Sequence, residues 1–499
     1  MPDHSLTKSR FVDGYQCPKL LWWKVNEPDA EELEPDVVLQ DLFDQGRLVG
    51  IRAREDFPGG VLIEGHREDG TRVTRTQSAI KSGAKIIFEA SFEQDGVFCS
   101  IDVLQKNADG WTLIEVKSSS EVKDYHLPDV AVQVHVARRA GINVTRAEVM
   151  HLNKEYRLPQ GGELFVRADV TDAIVPLLAD IAERIAEQLD VLRGGLPEHA
   201  VGLHCWAHNE CAFFARCWPS DPGHISNLWN VGPKKTIAYM ATGVSRMSDL
   251  APDAKLNDKQ KRQMRAQREQ RLIVELGLAE AMRPAVDAPR LGFLDFETVS
   301  RAIPVWNALG PYHQAAAQFS YHERAKGVAN TTHREFLAEG PANPSLAPDD
   351  PREAIALAML DATKSADRVV VYSSFEKTRI NELARYLPHL APGLEELREK
   401  LWDLNPVVAN NVYHPDFRGS FSLKYVLSPL VPDVSYHDGT LEITDGMTAS
   451  VEIARLLFVS GAIPLAQRDK TRRDLLAYCK MDTYATVRLV ERLGELAAG

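Results

Sequence analysis

A multidomain protein of mixed α/β class is what the sequence predicts, and three observations carry that expectation. Residues 86–117 hold three short apolar runs rich in β-formers, the last two joined by Asp109-Gly110, a strong hairpin signal. Helical stretches alternate with them: Leu127 to Ala140 follows the third run, and Thr171 to Arg193 is strongly amphipathic and closes on Gly194-Gly195. Residues 291–499 repeat the alternation, with the apolar strand LGFLDFETV, its neighbour HQAAAQFSYHE, the strand-to-helix run RVVVYSSFEKTRINELARYL and a long terminal helix. At 499 residues the chain has room for roughly two to four domains with buried cores.

The remaining elements follow in order. Ser5-Leu6-Thr7 and the next residues read as a capped amphipathic helix that brings Cys17 to its end. Glu32 to Arg54 reads as helical, EDFPGGVLIEG as a turn entering a strand, and Ala147 to Leu152 as a strand. GSFSLKYVL reads as a helix opened by glycine. No apolar run reaches the length of a membrane span, and MPDHSLTKSR lacks the apolar core of a secretion signal, so a cytoplasmic location away from membranes is expected. The formal net charge of −12 argues against broad nucleic-acid binding, but binding of that kind depends on local patches more than on totals.

The chemistry concentrates first between Ile86 and Gln133. Glu89, Asp102 and Glu115 each sit in one of the three β-runs, and Lys117 lies two residues past Glu115, on the same face of a strand. Hydrolysing a phosphodiester takes a divalent cation, and hard cations such as Mg²⁺ prefer carboxylate oxygens. Asp102 and Glu115 could supply these from adjacent strands, with Lys117 beside them to orient water or offset charge. Taken alone, a Glu-x-Lys pair is usually a solvated strand face; the hairpin, Asp102 and Gln133 together favour a site.

This arrangement resembles the PD-(D/E)xK nuclease superfamily in its RecB-like branch. The resemblance implies a restriction-endonuclease-like α/β core, with Asp102, Glu115 and Lys117 as the core motif and Gln133 as the helical glutamine that follows it. Such members often carry a metal-binding histidine upstream; the matching stretch FDQGRLVGIRARED has Gly50 and no histidine, and Glu89 is a candidate to supply that ligand instead.

Of the six cysteines, Cys99 and Cys479 lie in apolar segments and read as buried small residues. Cys17 stands near the N-terminus, and Cys205, Cys211 and Cys217 follow one another with five residues between neighbours. One distant and three close thiolates suit either an iron–sulfur cluster or tetrahedral Zn²⁺, with unrelated free thiols the bland alternative. The split resembles iron–sulfur RecB-like nucleases, among them the CRISPR-adaptation nucleases and AddB-type subunits, and implies a [4Fe–4S] cluster on Cys17, Cys205, Cys211 and Cys217.

Beyond His224, ISNLWNVGPKKTIAYMATGVSRMSDLA resembles a helix-hairpin-helix element, with Gly232 in the turn and Lys234 and Lys235 beside it; an ordinary helical linker is the equal alternative. KLNDKQKRQMRAQREQR is the most basic stretch of the chain, and Lys261, Arg265 and Arg268 fall on one helical face. Charge runs are usually just solvated, yet a nucleic-acid bridge fits this place in the chain.

In the last part Asp295 and Glu297 lie two apart on one strand, Glu376 sits at a strand–helix junction, and Tyr478 and Asp482 are one turn apart on the terminal helix. Carboxylates on separated segments meet the needs of two-metal phosphoryl hydrolysis. They resemble the motifs of DEDD-type exonucleases of the RNase H-like fold, in the tyrosine variety, where Tyr478 would hold the attacking water. Glu376 stands where that pattern has aspartate, and Asp403 is a possible further contributor. The chain is thus expected to divide into 1–220, 221–285 and 286–499: an endonuclease-like core, a small helical joint and an RNase H-like domain. Together these resemblances look like an uncharacterised prokaryotic family fusing the two nuclease types. They imply an Mg²⁺- or Mn²⁺-dependent nuclease acting on DNA, at single strands or ends. The alternatives are a nucleic-acid-binding scaffold with degenerate sites and an RNA exonuclease.

Overall fold

The structure, a computed structural model, describes residues 5–67, 70–159, 161–207, 210–328, 330–341, 347–434, 442–459 and 463–499. It is mixed α/β, and the chain forms two compact units. One comprises Met1–Pro219 with Arg301–His313; the other comprises Ser220–Ser300 with Gln314–Gly499. The segment 221–285 therefore groups with the second unit. The excursion at 301–313 belongs to the first because specific polar contacts hold it there. Arg301 pairs with Asp41 at 2.8 Å, and the Ala302 N–H donates to the buried Gln45 side chain at 2.6 Å.

The first unit is built from β1 (Leu6–Thr7), α1 (Lys8–Gln16), α2 (Pro18–Asn26), α3 (Val37–Ala53), β2 (Val61–Leu62), α4 (Thr71–Lys81), β3 (Ile86–Gln94), β4 (Val97–Lys106), β5 (Trp111–Lys117), α5 (His126–Arg139), β6 (Val144–Leu152), β7 (Phe165–Asp169), α6 (Val175–Arg193) and α7 (Phe214–Cys217). Its sheet runs β2-β3-β4-β5-β6-β7, with β1 added on β4. β3, β4 and β5 form an antiparallel meander, and α5 carries the chain over to β6, parallel to β5. Phe11, Val130, Val134, Ile181 and Ile185 from α1, α5 and α6 pack on the apolar face of the sheet. The expected helix over 32–54 starts at Val37, after Pro35, where the Asp36 side chain accepts the Leu39 N–H at 2.7 Å.

The sheet opens along one edge of β4. β5 pairs with β4 from Lys106 back to Val103 and then peels away, and β1 takes up the same edge of β4 at Val97 and Phe98. Asp102 lies in the opening between them.

The second unit holds α8 (Gly232–Ala241), α9 (Asp258–Glu269), β8 (Ile273–Val274), α10 (Leu278–Asp287), β9 (Arg290–Ser300), β10 (Gln314–Ala325), β11 (Thr332–Leu337), α11 (Arg352–Thr363), β12 (Arg368–Val371), α12 (Phe375–Tyr386), α13 (Ala391–Lys400), β13 (Leu401–Asp403), α14 (Asn405–Asn411), β14 (Val412–Tyr413), α15 (Leu423–Leu430), α16 (Gly446–Phe458) and α17 (Leu465–Ala498). Its five-stranded sheet runs β11-β10-β9-β12-β13. The first three strands alternate in direction, while β12 runs parallel to β9 and β13 parallel to β12. Leu294, Phe296 and Phe319 of the sheet bury against Ile355, Met359 and Leu394.

Two local expectations are corrected. The stretch before Gly232 makes one 3-10 turn, Ile225–Asn227, and not a full helix; Asn230, just ahead of α8, takes a positive φ of +53°, which helical backbone excludes. The helix expected from Gly419 starts at Leu423 instead. Gly419 serves a close approach: a Cβ there would lie 2.0 Å from the Asn227 carbonyl oxygen.

Candidate metal centres

In the first unit the strand register aligns the acids. Phe88 pairs with Val103 and Ala90 with Ile101, so Glu89 stands opposite Asp102; the β4–β5 ladder ends one rung before Asp102 and Glu115. The Oδ2 of Asp102 accepts the Val116 N–H at 2.7 Å, substituting for the ladder bond that the splayed strands no longer make. Gln133 and Asp129, one turn apart on α5, reach the same place. The Gln133 amide donates to Glu115 Oε2 at 2.8 Å and to Asp129 Oδ1 at 3.1 Å, and Lys117 bridges Glu115 at 2.9 Å and Asp129 at 2.5 Å. The structure thus brings Asp102, Glu115, Lys117 and Gln133 together.

It also adds a residue the sequence did not single out. Lys8, the first residue of α1, donates to both oxygens of Glu115 at 2.9 and 3.1 Å. Chain direction explains its arrival: β1 fills the vacated edge of β4, Thr7 caps α1 by accepting the Arg10 N–H, and Lys8 follows into the opening.

Burial and the neighbouring Glu115 push the Asp102 carboxyl up to about 7. Glu115 moves the other way: burial opposes its charge, but Lys117 and Lys8 outweigh that and hold it well below the usual carboxylate range. Both ammoniums are raised in turn, the cost of burial being overcome first by Glu115. Glu89 is held by two arginines. Its oxygens accept from Arg54 at 2.9 Å and Arg72 at 3.2 Å, and its backbone sits at φ +56°, strained for a side chain of this size. Gln133 Oε1 is buried and finds no partner among the described residues, an acceptor of the kind that a bound water or hydrated cation satisfies.

In the second unit Asp295 and Glu297 project from β9, the middle strand, and Asp482 comes from α17. One oxygen of each lies within 4.8 Å of the others. Burial first, then Asp482, pushes Asp295 and Glu297 well above the carboxylate range. Glu376, buried at the start of α12, is raised by burial and by Asp403 and reaches about 7. Asp403 is raised by burial, and one of its oxygens accepts the Asn405 N–H at 3.0 Å. Asp445 caps α16 and adds its field to Glu297, which Lys424 offsets. Tyr478 is buried one turn before Asp482 on α17. Cys479 packs beneath the acids, its Sγ 3.7 Å from Asp295 Oδ2. So many buried acids around one point fit a divalent cation, which relieves their mutual repulsion.

Cys17, Cys205, Cys211 and Cys217 line one small pocket with Trp23 and Phe213. Cys17 closes α1 and opens α2, and the Leu20 and Lys19 N–H groups point at its sulfur. Burial raises the Cys17 and Cys211 thiols, the latter to about 11, and the neighbouring sulfurs add to both shifts. His199 and His204 join them: donor atoms of these two and Cys17 lie within 4.8 Å of one another. Such a donor set fits a cysteine-bound cluster or a zinc ion. The two histidines, five apart and just ahead of Cys205, are the signal that reading the cysteines alone left out.

Lys261, Arg265 and Arg268 line one cleft of the second unit, whereas Lys234 and Lys235 are exposed on the first turn of α8 and do not line it.

Residues 292–422 match the model of a family described as "Domain of unknown function (DUF2779)". That stretch takes in Asp295, Glu297, Glu376 and Asp403 and stops short of Asp445, Tyr478 and Asp482. No curated protein and no solved structure matches the chain. No helix among the described residues is long and apolar enough to cross a membrane.

Proposed function

We propose that the chain is a metal-dependent nuclease with a carboxylate centre in each unit, acting on single strands or ends of DNA. The observation that carries this is the convergence of Asp295, Glu297 and Asp482 within 4.8 Å, from a central strand and a terminal helix. The strand order β11-β10-β9-β12-β13 supports an RNase H-like reading of that unit. The β3–β4–β5 meander with its α5 crossover to β6 supports a PD-(D/E)xK reading of the other, and the cysteine pocket supports the RecB-like, iron–sulfur variety.

When bound, Mg²⁺ or Mn²⁺ supplies Lewis-acid polarisation of the phosphoryl oxygen and acidifies a water. In the first unit Asp102 and Glu115 would hold it. Gln133 and Asp129 hold Glu115 and Lys117 in place, and the Lys117 ammonium beside Glu115 would offset negative charge developing on the phosphoryl group. In the second unit Asp295, Glu297 and Asp482 would hold the metal, and Glu376, whose charge acts on Asp295 and Glu297, would be a further ligand. Cys17, Cys205, Cys211 and Cys217 would hold a [4Fe–4S] cluster or zinc and tie the ends of the first unit together.

A scaffold with a silent first centre is the second reading, and one observation favours it. Lys8 and Lys117 on Glu115, with Arg54 and Arg72 on Glu89, already balance charge there. The experiment is degradation of end-labelled single- and double-stranded DNA and RNA with Mg²⁺ or Mn²⁺. It compares the native protein with Asp102→Ala, Asp295→Ala and the double variant. Activity lost stepwise supports two centres; a wholly inactive native protein overturns the nuclease reading.

A further inference from the structure

The basic helix of the second unit does more than present a solvated face. α9 forms one wall of an open cleft of about 1090 Å³, and the run from Arg246 to Leu256 forms the other. Lys261, Arg265 and Arg268 line it from one side of α9. Met247, Leu250, Leu256 and Met264 give it an apolar floor.

The cations there are thinly paired. Among the described residues, the one ion pair of Lys261 is to Asp258 at 3.6 Å, and the one ion pair of Arg268 is to its neighbour Glu269 at 3.5 Å. Arg265 gives one nitrogen to Glu275 at 2.8 Å, and its buried Nε finds no partner among the described residues. A merely solvated helix face neither borders an apolar floor nor buries an arginine nitrogen unpaired. The chain carries a net charge of −12, so a polyanion is repelled in general and attracted where cations gather.

The cleft is also tied to the carboxylate site. Arg262, buried on the same helix, donates to the carbonyl oxygens of Ala409, at 2.8 Å, and of Asn410. These are among the last residues of α14, which opens two residues after Asp403. A helix of that length spans about 10 Å, so the cleft wall lies roughly that far from the acid beside Glu376.

We propose that this cleft binds the sugar–phosphate backbone of a single nucleic-acid strand on its way to Asp295, Glu297 and Asp482. The proposal rests on the nuclease reading of that centre. Lys261, Arg265 and Arg268 neutralise successive phosphates, and the apolar floor takes unpaired bases, which a duplex would hide.

The test is fluorescence anisotropy of the full chain with labelled oligo-dT DNA, oligo-U RNA and a DNA duplex of equal length. It is read over a salt series in EDTA, so that no cleavage occurs. The Lys261→Gln/Arg265→Gln/Arg268→Gln variant should bind at least one single strand about tenfold more weakly at low salt. Its slope of log affinity against log salt should fall by about two. A charge-matched variant outside the cleft, Arg283→Gln/Lys364→Gln/Arg492→Gln, should change neither. Unchanged affinity and slope in the cleft variant overturns the proposal, as does an equal loss in the control or a loss confined to the duplex. If the triple change unfolds the protein, Lys261→Gln/Arg268→Gln, two exposed positions, serves in its place. Binding is read without turnover, so a protein that binds and never cleaves refutes the nuclease reading alone.

Discussion

Lys8 and Cys17 stand at opposite ends of one helix turn-run: Lys8 opens α1 and ion-pairs with Glu115 at 2.9 Å, and Cys17 caps the same helix inside the cysteine pocket. The helix between them is tightly seated. A Cβ on Gly14 would lie 2.5 Å from the Gln188 side chain of α6, and that side chain donates to the Phe11 carbonyl at 3.1 Å. The cysteine pocket and the Asp102 centre are therefore joined by a single helix.

Lys8 is expected to serve the first centre. Lys8→Met should lower cleavage by that centre about a hundredfold, the scale of losing one fixed charge-stabilising donor. Lys8→Arg should keep part of the rate. Steady-state kinetics in the Asp295→Ala background, with Mn²⁺ binding followed separately, checks this. Mn²⁺ should bind Lys8→Met no more weakly than the native site, because the removed group is a cation.

Metal at the cysteines should hold the first unit together. Anaerobically purified protein is expected to be brown and to contain iron, and Cys211→Ser should lose both colour and iron. Metal binding is folding free energy, so the thermal midpoint should drop by roughly 5 °C or more. Stoichiometric zinc without iron would assign the pocket to a zinc staple, and loss of that zinc in His204→Ala would make the histidine a ligand.

The second centre should act alone when the first is silenced. Asp102→Ala protein is expected to release nucleotides from a free 3′ end, better with Mn²⁺ than Mg²⁺, since the longer Glu376 carboxylate suits a less strict geometry. Adding Asp295→Ala should abolish the release. No release from any DNA or RNA with either metal would leave this unit a scaffold.

A pH dependence follows from two histidines behind that centre. His322 and His333 lie with ring centroids 4.5 Å apart, linked through Ser320 and Thr483. Burial lowers both to about 4, and Lys480 adds to each shift. The unfolded chain takes up protons near 6.5 that the folded chain refuses, so stability is complete above that pH and falls as pH drops toward 4. His322, nearly fully buried, accounts for up to about 3 kcal/mol of this loss. Urea midpoints across that window should fall less steeply in His322→Gln.

Much of this molecule was legible in its sequence. Short apolar runs rich in β-formers located the β3–β4–β5 meander and β9, which are buried along most of their length, and helical stretches located α5, α6 and α17. Glu115 with Lys117, and Asp295 with Glu297, were legible because residues two apart on a strand share a face. Tyr478 and Asp482 were legible as one helical turn. Lys8, Asp129, Arg54, Arg72 and Asp445 were not, because nothing local marks a lysine or acid whose partner lies far along the chain.

Tertiary structure alone decided those partnerships. Lys8 meets Glu115 across 107 positions because β5 leaves the edge of β4 and β1 replaces it, an event of strand register with no local pattern. Glu89, named by sequence as a further ligand, pairs with Arg54 and Arg72, which the turn after α3 and the helix α4 bring to it. Composition and spacing settle which side chains can do chemistry. Which of them are desolvated, paired or left facing one another depends on where the sheet opens, and that is set by packing over the whole unit.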